Sequence, residues 1–183
     1  YKKVKLYKTF NKIPQVLCLW YIDSMFGRKT LFKGSSEYGS YRVIDMIYDG
    51  RDARVLFGDA HTPQSGTALD GDAELLFNYN QRFLEMVISM RPKRLLVIGG
   101  GVMMLPVAVY ERLPDVQIDV VEIDPLLTEL AYDYFKAPRD ERLAVYNDDG
   151  RAFLEGSTAR YDMIIIDAFT GFDIPAHLLE REA

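Results

Sequence analysis

Cysteine occurs once, at Cys18, tryptophan once, at Trp20, and histidine twice in the 183 residues. A single thiol excludes an internal disulfide framework and a cysteine-based zinc site. It fits a reducing compartment, and a cytoplasmic location is the expectation it supports. His61 stands in a polar turn and His177 beside Pro175-Ala176, neither with a metal-ligand partner at useful spacing, so no metal is expected. Long apolar runs are also missing. The longest, residues 13–22, is broken by Pro14 and Gln15 and bounded by Asp23, far short of the roughly 18 to 20 apolar residues of a membrane helix. Tyr1-Lys2-Lys3 has charge but no apolar region behind it, unlike a signal peptide. Basic residues are too few to neutralise a nucleic acid. With 22 lysines and arginines against 27 acids the formal charge is −5, which suits a small cationic partner better. The run Lys2, Lys3, Lys5, Lys8 and Lys12 reads as a solvated arm. The first residue is not methionine and the chain stops soon after an apolar strand, so a fragment or processed form is expected.

What is present is enough for a packed core: 49% of the residues are hydrophobic and 13% aromatic, which excludes disorder. The rhythm divides near residue 70, giving an expected β-rich module over residues 1–69 and an α/β domain over 70–183. In the first part, residues 41–48 and 53–57 alternate like strands around Asp49-Gly50, a strong hairpin turn. Residues 30–69 are read as a small antiparallel sheet that ends in the polar segment 61–66. Residues 4–6 and 16–22 are weaker strand candidates. After residue 70, Leu75, Leu76, Tyr79, Phe83, Met86, Val87 and Met90 recur at helical spacing up to Arg91-Pro92, and the methionines are read as core. Apolar strands at 94–98, 118–122, 143–146 and 163–167 then alternate with helices at 104–112 and 126–135. That order predicts a parallel sheet covered on both faces.

Chemistry-bearing residues fall at the strand ends. Gly99, Gly100 and Gly101 follow the first parallel strand, where tight turning and close ligand approach need glycine. Glu122 closes the next strand, about 23 residues on, where a carboxylate accepts ribose hydroxyls. Asp149, in Asn147-Asp148-Asp149-Gly150, follows the third strand. It reads equally as a contact to an adenine amine and as a helix N-cap. Asp167 closes the fourth strand after three isoleucines, placed to hold a cationic amine and accept its proton. No phosphate-binding lysine follows the glycines, which argues against an ATP loop.

These residues together resemble the spermidine synthase (polyamine aminopropyltransferase) family, in its spermidine-synthase-like bacterial branch. The resemblance rests on Tyr79, residues 95–101, Val121-Glu122-Ile123-Asp124, Asp149-Gly150 with Phe153-Leu154, Tyr161-Asp162 leading to Asp167, and Ile174-Pro175-Ala176-His177-Leu178. The stretch from Tyr38-Gly39-Ser40-Tyr41 to Gln64 is similar to the family's amino-terminal β-module. The resemblance implies a class I methyltransferase-like Rossmann core, truncated here after its fourth strand, behind a small antiparallel module. It implies transfer of an aminopropyl group from decarboxylated S-adenosylmethionine to a polyamine such as putrescine, with no tightly bound cofactor, no nucleic acid, and a homo-oligomeric assembly. By the same resemblance Glu122 holds the ribose and Asp149 the adenine. Gln64, Asn80, Gly99 and Gly101 contact the nucleoside, and Asp167 and Tyr79 are catalytic.

Three positions depart from the family pattern. Val102 stands where an aspartate holds the donor's amine, Met103 adds bulk at the loop, and Thr170 replaces a second acid, with Asp173 as a substitute if its loop folds back. The sequence therefore leaves open an S-adenosylmethionine-dependent methyltransferase and a noncatalytic binding or assembly protein. The fourth strand is expected to need an edge partner.

Overall fold

The computed structural model describes residues 28–59, 62–70, 75–168 and 175–178. The strand candidates at 4–6 and 16–22, the lysine arm, Cys18, His61, Thr170 and Asp173 lie outside the described residues.

Four strands, β1 (Lys29–Ser35), β2 (Ser40–Tyr48), β3 (Arg51–Phe57) and β4 (Pro63–Ala68), form an antiparallel sheet in sequential order. The Asp49-Gly50 hairpin is present with φ of +49° and +79°, the paired left-handed conformation of a two-residue turn. It sets the register Tyr48↔Arg51 and Ile44↔Val55. Alternation and pairing then put Tyr41, Val43 and Leu56 on the face that joins the core, while Ile44, Ala53 and Val55 are buried on the opposite face. The segment read as the polar end of this unit is instead β4, pairing Val55 with Gly66 and Arg54 with Thr67. Its small and polar residues conceal the strand because the ladder is made by the backbone. Gly66 allows that approach, for a Cβ there would stand 2.7 Å from the Arg54 carbonyl.

The helix α1 (Asn78–Met90) starts later than its apolar spacing predicts. Leu75 is not helical but bridges Thr67 at the sheet edge, and is buried there. Arg91 ends α1 in the left-handed conformation before Pro92. The reading of the α1 methionines as core is wrong: Met86 is 41% and Met90 60% exposed. They share a stripe with Tyr79 and Phe83, one turn apart, while Leu84 and Val87 carry the buried face.

The strands β5 (Arg94–Ile98), β6 (Gln117–Val121), β7 (Leu143–Tyr146) and β8 (Met163–Ile166) are all parallel, in the order β7-β6-β5-β8. The crossovers carry α2 (Met104–Arg112), α3 (Pro125–Tyr134) and α4 (Gly150–Gly156). This is a Rossmann-like arrangement, with the order reversing between β5 and β8. One face, built from Leu95, Val97, Ile118, Val120, Leu143 and Ile165, packs with α2 and with Tyr41, Val43 and Leu56 of the first sheet in one continuous core. Helix α2 is buried along Met104 to Val109 because it lies between that face and both α1 and β4. The other face holds Leu96, Ile98 and Val121 against Phe153, Leu154, Tyr161 and Leu178. There Ile164 remains 46% exposed, and β8 is the edge of the sheet among the described residues. Among the described residues no helix is long and apolar enough to cross a membrane.

Candidate functional site

Parallel strands all point their carboxyl ends to one side, so their terminal residues converge above the sheet at the β5/β8 switch point. A cavity of about 760 Å³ opens there, between the carboxyl ends of β5 to β8 and the antiparallel sheet. Gln64, Tyr79, Asn80, Gly99, Gly101, Glu122, Asp149 and Asp167 all line it. They come from six different segments.

The glycine loop is shaped by its neighbours. The Gly99 N–H continues the ladder to the Val121 carbonyl at 2.8 Å, and the Asp167 N–H does the same to Ile98 at 2.8 Å. Gly99 has φ of +86° and no room for a side chain, since a Cβ would meet the Asp167 oxygen and the Ala168 nitrogen at 2.6 Å each. Gly101 has φ of +52° and open space beside it. Its N–H donates to Glu122 Oε2 at 2.6 Å, and Glu122 Oε1 accepts the Asp124 N–H at 2.9 Å. Burial raises the Glu122 carboxyl above its ordinary range, and these backbone N–H groups pull it partly back. Asn147 braces the same turn, donating to the Glu122 carbonyl at 3.1 Å and to Thr128 at 2.7 Å.

The sequence left Asp149 between two readings, and the geometry accommodates both. Its Oδ1 caps α4 by accepting from Arg151 and Ala152 N–H at 2.9 and 3.0 Å, while the residue also lines the cavity. Asp167 is half-buried, and desolvation pushes its carboxyl up to about 7. Partial burial, and then the Asp167 charge, push the Tyr79 phenol up to about 12. Tyr79 donates to the Gln64 carbonyl at 3.4 Å, and the Asn80 side chain beside it offsets part of that rise. Asn80 is 4% exposed, and its Oδ1 has no hydrogen-bond partner. A buried acceptor left unpaired costs free energy until a donor reaches it.

Val102 and Met103 point away from the cavity. Both are wholly buried in the core, so Met103 does not crowd the ligand side as the sequence suggests. Met103 caps α2 with φ of +61°, a conformation that turns its side chain under the loop. The cavity wall at this point is Met104, Leu105 and Pro106. Six carboxylates line the cavity (Asp59, Glu122, Asp124, Asp148, Asp149 and Asp167), and no lysine, arginine or histidine does among the described residues. The field inside favours a cation.

Several cavity residues escaped the sequence reading. Tyr41, Asp59 and Asp124 line it, and Ser36 bonds to Asp124 from the β1–β2 turn. Asp124 was visible as the N-cap before Pro125, but its contact lies 88 residues away. No local pattern reports that.

Comparison with known proteins places the chain. The profile of the spermine/spermidine synthase domain matches residues 77–178. A polyamine aminopropyltransferase of Vibrio vulnificus is 34% identical over 115 residues, covering 61% of this chain and 38% of that protein. One from Streptococcus uberis is 32% identical over 163 residues, covering 83% of this chain and 52% of its own length. The chain thus spans about half or less of these relatives. A probable spermidine synthase from Corynebacterium glutamicum superposes with a TM-score of 0.67 at 25% identity, over 80% of this chain and 55% of that one.

Proposed function

The chain belongs to the spermine/spermidine synthase domain family, and from that premise we propose that its cavity binds an adenosyl sulfonium donor, decarboxylated S-adenosylmethionine, and transfers its aminopropyl group to a polyamine such as putrescine. The observation that carries the reading is the cavity's charge: six carboxylates and no cationic side chain among its described lining residues. Both substrates are cations. Glu122, held by two backbone N–H groups at the end of β6, faces the ribose. Gly99 and Gly101 let the nucleoside approach the backbone, and Asp149 meets the adenine amine beside its capping role. Gln64 and Asn80 border the donor, with the unpaired Asn80 Oδ1 awaiting a ligand N–H or O–H. Asp167 accepts the proton that the attacking amine must lose, and Tyr79 orients that amine.

The reaction needs an amine lone pair in line with the sulfonium carbon. The new C–N bond forms as the C–S bond breaks, the sulfur leaves as the neutral thioether methylthioadenosine, and the amine proton passes to Asp167. A second reading is methyl transfer from intact S-adenosylmethionine. It is favoured by the burial of Val102 and by the apolar wall of Met104, Leu105 and Pro106, which set no carboxylate against the carboxylate that only the intact donor carries. A homo-oligomer belongs to the same proposal, because among the described residues β8 is a sheet edge and Ile164 on it is half-exposed, which a strand from a second copy would cover. A monomer mass by sedimentation equilibrium would remove that part.

Calorimetric titration tests the donor site. Methylthioadenosine is expected to bind at micromolar concentration, and decarboxylated S-adenosylmethionine more tightly than the intact compound. The reverse ranking of the two sulfonium compounds selects methyl transfer, and no binding of any of the three to folded protein refutes both readings. Glu122→Ala is expected to weaken methylthioadenosine by about 1.5 to 3 kcal/mol, the loss of a charged hydrogen-bond partner. Unchanged affinity would take Glu122 out of the donor site.

A further inference from the structure

The antiparallel sheet reaches the donor side of the cavity through two hydroxyl groups. The chain turns tightly from β1 to β2, with the Ser36 N–H donating to the Gly39 carbonyl at 2.9 Å. That turn brings the Ser36 hydroxyl to Asp124 Oδ2 at 2.6 Å, and the two residues are 88 apart in sequence. The Tyr41 hydroxyl, from the start of β2, lies beside Asp124 and Ser36. Tyr41 is 7% and Asp124 1% exposed. The other Asp124 oxygen accepts the Leu126 N–H at 2.9 Å as the cap of α3. Asp124 in turn gives its own N–H to Glu122 Oε1, and the remaining Glu122 oxygen takes the Gly101 N–H. A connected set of hydrogen bonds therefore runs from Ser36 through Asp124 and Glu122 to the glycine loop, with the Tyr41 hydroxyl packed beside its first member.

We propose that Ser36 and Tyr41 are positioning residues that set the orientation of the Glu122 carboxylate through Asp124, so that the antiparallel sheet is part of the donor site. The proposal rests on the reading of Glu122 as the ribose-binding acid. Packing alone does not call for this arrangement. An apolar residue at position 41 would fill the same core position, and a buried carboxylate is tolerated only where donors surround it. Burial and the neighbouring Asp124 and Glu122 charges hold the Tyr41 phenol protonated, which keeps it a donor. The Asp124 carboxylate is pinned by Ser36 on one oxygen and by the α3 cap on the other, and that clamp fixes the backbone turn whose N–H holds one Glu122 oxygen.

A double-mutant cycle on methylthioadenosine affinity tests this. Tyr41→Phe and Ser36→Ala are each expected to raise the dissociation constant about 5- to 20-fold, the effect of one charged hydrogen bond. Ser36→Thr, which keeps the hydroxyl, is expected to restore binding. In a Glu122→Gln background the effect of Tyr41→Phe is expected to shrink below twofold, because the residue it acts through has been altered. Persistence of the full effect in that background would mean that Tyr41 touches the ligand or acts by packing, and would overturn the proposal. So would single variants that bind like wild type. If Tyr41→Phe melts at the assay temperature, the Ser36→Ala and Ser36→Thr pair, each combined with Glu122→Gln, decides the matter. Wild-type protein that binds no nucleoside refutes the donor-site reading and this proposal together, whereas additive effects on a working site refute this proposal alone.

Discussion

Asp167→Asn is expected to cut aminopropyl transfer by about 100- to 10,000-fold, the usual worth of a general base, while methylthioadenosine affinity stays within a few-fold. The side chain sits at the end of β8, and desolvation holds its carboxyl at about 7. A base with that value is half-ionised at neutral pH and well matched to taking a proton. In wild type, kcat/KM is expected to rise with pH through an apparent pKa near 7, since only the ionised carboxylate accepts, and this limb is expected to vanish in the variant. Stability moves the other way. The folded protein keeps the Asp167 proton up to about 7, whereas the unfolded chain releases it near 3.8. Below pH 3.8 both states are protonated and the group has no effect; between 3.8 and about 7 the unfolded state is progressively favoured. The gap corresponds to an upper limit of about 4 kcal/mol, and partial solvent access reduces it to about 2 kcal/mol. Asparagine carries no such penalty, so the variant is expected to melt about 4 to 8 °C higher at pH 8, with the gain fading as the pH falls towards 4. A variant that turns over like wild type would take Asp167 out of the chemistry, and one that melts lower at pH 8 would contradict its desolvation.

Much of this architecture is legible before any coordinates. The Asp49-Gly50 turn, the four apolar parallel strands and the Arg91-Pro92 stop are local signals, each decided by a few adjacent residues. The candidate site is legible for a related reason. In a parallel sheet every strand end faces the same way, so Gly99, Glu122, Asp149 and Asp167 can be grouped without knowing a single distance. What failed depended on contacts between distant segments. Pro63–Ala68 has no apolar alternation, and its ladder with β3 is a backbone matter. Leu75 fits the helical period but is captured by Thr67 at the sheet edge. Met86 and Met90 have the right composition for a core, yet the buried face of α1 is the one carrying Leu84 and Val87. Val102 and Met103 are adjacent to the ligand side in sequence, but the left-handed turn at Met103 sends both into the core. The Ser36–Asp124 contact is the extreme case, since its partners are meaningful only together.

The sharpest structural consequence lies in the glycine loop, where two neighbouring glycines are expected to respond very differently to alanine. Both have positive φ, +86° at Gly99 and +52° at Gly101, and an L-residue there costs about 1 to 2 kcal/mol. At Gly101 that is the whole cost, because its Cβ would meet nothing within 4 Å. At Gly99 the added carbon would stand 2.6 Å from the Asp167 carbonyl oxygen and from the Ala168 nitrogen. Those are backbone atoms and cannot rotate away. Either β5 and β8 separate at their carboxyl ends, breaking the Asp167 N–H bond to Ile98, or the glycine loop is displaced from β6. Gly99→Ala is therefore expected to cost about 3 to 5 kcal/mol and to lower the melting temperature by about 6 to 20 °C, against about 2 to 8 °C for Gly101→Ala. The displacement also moves Asp167, so any Gly99→Ala protein that remains folded at low temperature is expected to lose turnover beyond what its folded fraction explains. Thermal melts at matched concentration, followed by single-turnover rates on the folded fraction, separate the two contributions. Equal melting temperatures for the two variants would mean that the close approach of Gly99 to the end of β8 does not hold the site together.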